Sequence, residues 1–375
     1  AGMAGILTAI KLREAGYNNY VIYEKSDSVG GTWRENTYPG IACDVPAHMY
    51  TYSFEPNPDW SRTYAPGPEI HAYFQRVAEK YGVLEKIRFN ESIPHCEFED
   101  GKWHIRTSTD REDKADIVIA ATGVLHYPHV ADIPGLDSFA GTCFHSAHWD
   151  HSVDLRGKRV GVIGTGSTAM QITSALVGKV ERFDLYQRTA QWVMPLENVE
   201  YSDKDKAEFR TDPTKLQAIR DQVNDDFERF SNAVIDADSE EMKEVEDACL
   251  ANLEDNVSDP ELREKLRPDY RAGCKRLIFS SDFYDAIQRP NANVVSSGIK
   301  RIETTGIRTE DGELHELDVL VVATGFRADS FIRPTTVRGR GGVDLDEVWA
   351  DHPVAYMSIS IPEFPNLFML NGPNG

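Results

Sequence analysis

A glycine-rich turn that opens a helix leaves a chain few folds to choose from, and this sequence carries two such turns, the earlier without its first strand and first glycine. The later one is GTGSTA, Gly164 to Ala169. It follows the apolar strand Arg159 to Ile163 and opens a helix whose stripe is Ala169, Ile172 and Leu176. Glycines here let the backbone approach a pyrophosphate, and Ala169 stands where the dinucleotide fingerprint accepts alanine for its third glycine. The earlier turn is AGMAG, with Gly2 for close approach and Gly5 for helix–strand packing. Met3, Ile6, Leu7 and Ile10 continue it at helical spacing, and Gly16 marks the stop. Two strand–turn–helix units of this kind predict an α/β chain with two Rossmann-like dinucleotide-binding domains.

The residues after each turn differ in a way that separates the two ligands. The strand Tyr20 to Tyr23 ends in Glu24, about 20 residues past the first turn, where a carboxylate accepts from ribose hydroxyls. The strand Phe183 to Tyr186 ends instead in Gln187, Arg188 and Thr189. A carboxylate repels a 2′-phosphate and a guanidinium pairs with it, so the second site favours NADP over NAD.

At 375 residues the chain exceeds one growing core, and two or more domains are expected. A formal net charge of -21 excludes a nucleic-acid or anionic-membrane footprint. Much of that charge lies in the nearly glycine-free stretch Leu196 to Asp269, read as an inserted helical cap with runs over Leu216 to Phe230 and Ala233 to Leu253. Cys43, Cys96, Cys143, Cys249 and Cys274 are dispersed, without a CxxC, which points to a reducing compartment, the cytoplasm. No apolar run reaches the roughly 20 residues of a membrane helix. The chain opens inside the first glycine motif, so a preceding strand and further chain beyond Gly375 are expected.

Between the turns, Gly67 to Gly82 predicts an amphipathic helix with Ile70, Tyr73, Phe74, Val77 and Tyr81 on its core face. Cys96 to Thr107, interrupted by Glu99 to Lys102, predicts a β-hairpin leading to a buried strand, Ile117 to Ala121. Thr122-Gly123 and the later Thr324-Gly325 end strands, the second being Asp318 to Ala323. Phe364 to Gly375 predicts a strand followed by a turn. His145, His148 and His151 with Asp150 invite a metal reading, but they crowd one short segment, whereas a structural site draws on separated positions; no metal is expected.

Two longer patterns carry more information. Gly30 to Asp44, GGTWRENTYPGIACD, pairs adjacent glycines with the stiffening Trp33, Tyr38 and Pro39. Phe139, Gly141, His145, Trp149 and Asp150 recur in FAGTCFHSAHWD, which reads as a linker. The first resembles the motif (A/G)GxWxxxx(F/Y)P(G/M)xxxD, and the second the fingerprint FxGxxxHxxxW(P/D), of Baeyer-Villiger monooxygenases. That resemblance implies FAD at the first site, held through Gly2, Gly5, Glu24, Gly31, Thr32, Trp33, Asp44 and Tyr50. It implies NADPH at the second, held through Gly164, Gly166, Ser167, Thr168, Gln171, Arg188, Thr189 and Lys275. It places Asp44 beside the flavin, Lys275 on the 2′-phosphate and Arg276 toward the flavin, with His145 and its aromatic neighbours positioning the linker as domains move.

The organisation expected from this resemblance is an FAD-binding domain over 1–138 and 327–375, the linker over 139–152, an NADP-binding domain over 153–195 and 271–326, and the helical insertion over 196–270. The activity it implies is conversion of ketones to esters or lactones with NADPH and O2 through a C4a-peroxyflavin. Arg276 and Asp44 are then the catalytic pair, the guanidinium stabilising developing negative charge and the carboxylate holding it. Competing readings are a flavin-containing monooxygenase of sulfur or nitrogen, and an NADPH flavoprotein that transfers electrons without oxygenation. The Gly30 to Asp44 loop and the Lys275-Arg276 pair favour the ketone-oxidising branch, and small sulfides remain within its substrate range. No GxSxG turn supports a hydrolase.

Overall fold

The structure, a computed structural model, describes residues 1–374; Gly375, the end of the expected terminal turn, lies outside them. Two compact units divide the chain. One holds Ala1–Glu35, Ile70–His129 and the chain from Phe326 onward; the other holds Asn36–Glu69 and Val130–Gly325.

In the first unit the helix Met3–Glu14 buries Ile6, Ala9 and Ile10, and the chain turns at Gly16 with φ of 86°. Only Ile22–Tyr23 of the expected strand pairs, in parallel with Ile87–Arg88. The hairpin forms as His95–Glu99 against Lys102–Arg106, turned by Asp100 and Gly101 at φ of 51° and 78°. Two consecutive positive values make a tight hairpin turn whose twist matches the strands. Glu112–Ala115 and Thr336–Arg338 complete a four-stranded sheet over Trp103, Val337, Trp349 and Phe364. The expected buried strand shortens to Val118–Ala120, paired with Leu367–Met369, and Ile117 is 54% exposed. Ile117 precedes the ladder, so no partner strand covers it. The amphipathic helix runs Gly67–Lys80, burying Ile70, Tyr73, Phe74 and Val77.

The second unit is built on a five-stranded parallel sheet in the order Ala292–Val295, Arg182–Tyr186, Arg159–Ile163, Val319–Val322, Thr142–His145. Continuous burial of the Arg159 and Val319 strands suits a sheet covered on both faces. Successive strands run outward in one direction from Arg159–Ile163, and the order then reverses to Val319–Val322. Doubly wound sheets bind ligands at the carboxyl ends of strands flanking such a reversal. Within the segment read as a linker, Thr142–His145 is the edge strand of this sheet, and Ser146–His148 is a short 3-10 turn. Its partner, Val319–Val322, lies far along the sequence, so the local pattern could not announce the pairing.

The insertion is helical over Asp203–Thr211, Pro213–Ile235, Glu240–Asn256 and Pro260–Leu266. Its main break falls later than expected, at Asp236–Ser239, so Ala233 lies in the last turn of the long helix and does not start the next. Ser239 supplies the reason: its Oγ accepts the Met242 N–H at 3.1 Å and caps the following helix. No helix among the described residues is long and apolar enough to cross a membrane.

Candidate active site

In the first unit, the glycines of the two motifs lie backbone to backbone. Gly31 has φ of 52°, and a Cβ on it would lie 2.9 Å from the Gly2 Cα; one on Gly2 would lie 3.3 Å from the Gly31 Cα. Gly30 donates its N–H to the Ala1 carbonyl at 3.0 Å and has φ of 127°. Thr32 and Trp33 open the single-turn helix Thr32–Glu35, whose Trp33 N–H reaches the Gly30 carbonyl at 3.2 Å. Gly5 faces Ala121 at the strand end, with room for no more than ordinary contact. Glu24 is buried and accepts the Ser26 N–H at 3.0 Å. A side-chain-free cradle with a buried acid at the strand end fits a dinucleotide.

Asp44 and Arg276 come together in the second unit. Arg276 Nη2 donates to Asp44 Oδ2 at 2.6 Å, with the arginine side chain 71% exposed. The loop bearing Asp44 is anchored to the helix Ser167–Leu176. Tyr38 OH donates to Gln171 Oε1 at 2.9 Å, Gln171 Nε2 donates to the Ala42 carbonyl at 3.0 Å, and Thr168 Oγ1 lies 3.4 Å from Tyr38 OH. Gly40, with φ of 85°, permits the contact: a Cβ there would sit 2.4 Å from the Gln171 carbonyl oxygen. Gln171 thus spends both ends of its amide on the loop. Cys43, next to Asp44, is buried, and burial pushes its thiol up to about 12, so it offers no thiolate. Tyr50 ends a turn in which its N–H reaches the Pro46 carbonyl at 2.9 Å.

Sequence patterns gave no sign of what holds the far side of this loop. His48 packs between the rings of Phe209 and Tyr201, at centroid distances of 4.6 and 5.2 Å. Arg220 Nη1 donates to the His48 carbonyl at 2.9 Å and to Thr51 Oγ1 at 3.3 Å. Three aromatic or cationic side chains of the insertion meeting one loop histidine leave no periodic trace. Burial pushes the His48 imidazole down to about 4, only partly offset by a hydrogen bond with the Asn57 backbone. The unfolded chain therefore takes up a proton below about pH 6.5 that the folded chain refuses until about pH 4. Stability from this group is complete above 6.5 and is lost as the pH falls through that window, by about 2 kcal/mol between pH 7.5 and 5. Urea unfolding at the two pH values should show this loss in the wild type and a smaller one in His48→Phe; equal slopes would refute it.

The second glycine turn sits at the reversal of strand order. Gly164 has φ of 124°, and a Cβ on it would meet the Ala323 carbonyl oxygen at 2.3 Å. Gly166 has open space where its Cβ would be and precedes the first turn of the helix, whose N–H groups favour phosphate. Ser167 Oγ is buried there with no hydrogen-bond partner among the described residues. Arg188 is exposed at the end of Arg182–Tyr186, and Thr189 accepts the Thr165 hydroxyl at 3.1 Å. Lys275 Nζ lies 4.5 Å from the Tyr270 ring centroid. An open turn, an unbonded hydroxyl and two exposed cations fit a phosphorylated dinucleotide.

The fingerprint residues have local structural reasons. Gly141 is required because a Cβ would lie 2.5 Å from the Asp318 carbonyl and 2.6 Å from the Phe139 ring, which packs on Ile302 and Leu317. His145 is buried at the strand end, and its Nδ1 accepts the Ala147 N–H at 3.1 Å, which leaves the ring proton on Nε2. Trp149 stands edge-on to Phe144 at 5.0 Å. Asp150 accepts from the Ser152 N–H and hydroxyl at 2.9 and 2.6 Å, and His151 Nε2 lies 2.8 Å from Thr37 Oγ1.

Comparison with known proteins agrees with this geometry. Residues 1–202 match the flavin-binding monooxygenase-like family. An uncharacterised monooxygenase of Mycobacterium tuberculosis is 46% identical over 353 residues, covering 94% of this chain and 71% of its own. A Baeyer-Villiger monooxygenase of Streptomyces coelicolor is 40% identical over 383 residues, covering all of this chain and 72% of its own. The crystal structure of cyclohexanone monooxygenase from Rhodococcus bound to NADP+ superposes with a TM-score of 0.88 at 30% identity, covering all of this chain and 78% of that one.

Proposed function

The chain belongs to the flavin-binding monooxygenase-like family, and we propose that Asp44 and Arg276 form the catalytic pair with which it oxidises ketones. The activity is that of an FAD-dependent Baeyer-Villiger monooxygenase: ketone, O2, NADPH and a proton give an ester or lactone, water and NADP+. Bound FAD would supply hydride acceptance and oxygen activation; the chain's own residues bind, orient and shield.

Gly2, Gly5, Gly31, Thr32 and Trp33, with Glu24 for the ribose, would hold the FAD. The unit that carries them is the FAD-binding one in this reading. Gly164, Gly166, Ser167 and Thr168 would take the pyrophosphate of NADPH, and Arg188, Thr189 and Lys275 its 2′-phosphate. Gln171 acts through the loop by fixing Tyr38 and Ala42. His145, with Phe139, Gly141, Trp149 and Asp150, shapes the edge of the sheet and serves conformational change instead of proton transfer.

The observation that carries the catalytic assignment is the 2.6 Å bond between Arg276 and Asp44. It ties two motif residues distant in sequence, and it pins one edge of the guanidinium while the remaining N–H groups stay accessible. As oxygen adds to the carbonyl carbon, negative charge grows on the carbonyl oxygen. A fixed guanidinium stabilises that charge without having to reorient at the moment of reaction. Asp44 orients it and tempers its charge.

The substrate in this reading is a small-molecule ketone, with sulfides as the alternative. The five dispersed cysteines, without a CxxC, support work in a reducing compartment, the cytoplasm. The test is product analysis with 18O2 over a panel of cyclic, linear and aryl ketones and sulfides. Esters or lactones carrying one 18O are expected. Sulfoxides or N-oxides alone, or NADPH consumed only to hydrogen peroxide, would overturn the ketone reading.

A further inference from the structure

We infer that Tyr270 and Gln191 are positioning residues that hold Lys275 in register with the second glycine turn and thereby set the preference for NADPH over NADH. The inference rests on the reading that Lys275 and Arg188 take the 2′-phosphate. A continuous line of contacts supports it. Lys275 Nζ stands 4.5 Å above the Tyr270 ring, whose negative face attracts an ammonium. Tyr270 OH donates to Gln191 Oε1 at 3.0 Å. Gln191 Nε2 donates to Thr165 Oγ1 at 3.1 Å, and Thr165 Oγ1 donates to the Thr189 carbonyl at 3.1 Å.

Each end of this line matters to the phosphate. Thr165 lies between Gly164 and Gly166 of the turn, and Thr189 directly follows Arg188. The two cations thus stand on separate segments whose spacing is fixed through Tyr270 and Gln191. Tyr270 itself is held: the Trp192 indole Nε1 donates to its carbonyl at 2.7 Å, and Trp192 is buried in the core of the helical insertion. Burial also raises the Tyr270 phenol above its ordinary value, so the hydroxyl stays a neutral donor at working pH.

The physical need is plain. Lys275 is exposed and its four-carbon stem would otherwise sample many rotamers, each of which must be frozen when the phosphate binds. A phosphomonoester carries close to two charges at neutral pH and rewards cations already in place. A ring beneath the ammonium reduces the ordering cost before the ligand arrives, and the hydroxyl's bond to Gln191 keeps the ring aligned with the turn. NADH, lacking the 2′-phosphate, gains nothing from either.

The experiment measures binding by calorimetry on the FAD-loaded protein, with adenosine 2′,5′-bisphosphate and 5′-AMP as probes, beside KM for NADPH and NADH. Tyr270→Leu should weaken the bisphosphate about five- to tenfold and leave 5′-AMP unchanged. Tyr270→Phe, which keeps the ring and its packing, should cost about two- to threefold, again only for the bisphosphate. On a Lys275→Met background, Tyr270→Leu should add nothing, because its effect runs through the ammonium. Equal weakening of both probes, or a full independent loss on the Lys275→Met background, overturns the inference. If Tyr270→Leu fails to fold, the Tyr270→Phe result decides it: no selective loss refutes the alignment by Gln191. Should Lys275→Met leave the ratio of the two affinities unchanged, the underlying phosphate reading falls. A ratio shifted by Lys275→Met but not by the Tyr270 variants sinks the inference alone.

Discussion

Arg276→Ala is expected to lower ester formation by about 10²-fold or more while NADPH still reduces the flavin at close to the wild-type rate. The asymmetry follows from where charge appears. Hydride transfer puts no charge on the ketone oxygen, whereas addition of oxygen to the carbonyl carbon does. Because the Arg276 side chain is 71% exposed, its removal opens no cavity, and the variant should fold with wild-type stability. NADPH consumption should then appear as hydrogen peroxide. Anaerobic stopped-flow reduction, peroxide assay and product chromatography separate the steps. Arg276→Lys keeps the charge but not the planar fork that Asp44 grips, so partial activity is expected. Asp44→Ala should also impair oxygenation, and the double variant should be no worse than Arg276→Ala, since Asp44 acts through the guanidinium. Undiminished ester formation by Arg276→Ala would remove the residue from the reaction.

Local rules made some of this chemistry visible in the sequence and hid the rest. Both glycine turns are legible because each is a local turn opening a helix, and so are the hairpin turn at Asp100-Gly101 and the helix Gly67–Lys80. What the sequence does not show is anything decided by distant pairing. Phe139 to Asp150 reads as a linker, and the pairing of its Thr142–His145 with Val319–Val322 at the sheet edge leaves no local trace. Ile117 looks buried by its neighbours' apolarity, but the ladder starts one residue later. The roles of Asp44 and Arg276 came through resemblance, not spacing; the bond between them joins residues on separate segments. His48 against Phe209 and Tyr201, and Lys275 on Tyr270, are contacts of the same kind. Periodicity reports which face of an element is apolar, and a side chain's partner across the fold is not encoded in it.

Gly31→Ala tests the other half of the chemistry, and the expected result is a folded protein that no longer retains FAD. Two costs fall on the same residue. At φ of 52° a side chain is placed in the left-handed region, which costs roughly 1–2 kcal/mol for a non-glycine residue. The new Cβ would also lie 2.9 Å from the Gly2 Cα, which is backbone and cannot rotate away. Overpacking of that kind costs about 1–3 kcal/mol. Relief requires the Gly30-Gly31 turn and the Gly2 turn to part, and these two backbones form the cradle assigned to the flavin nucleotide. The core of this unit, built on Trp103, Val337, Trp349 and Phe364, does not include Gly31, so the strain should be released into the cradle before the fold is lost. About 3 kcal/mol shifted onto binding corresponds to roughly two orders of magnitude in the dissociation constant. The ratio of flavin to protein absorbance after purification, followed by titration with FAD, gives the answer directly. Gly16→Ala is the control, since Gly16 also has positive φ, 86°, but meets nothing within 4 Å. It should lose stability without losing flavin; equal flavin loss in both variants would mean that backbone strain anywhere in this unit, and not the Gly2–Gly31 contact, governs retention.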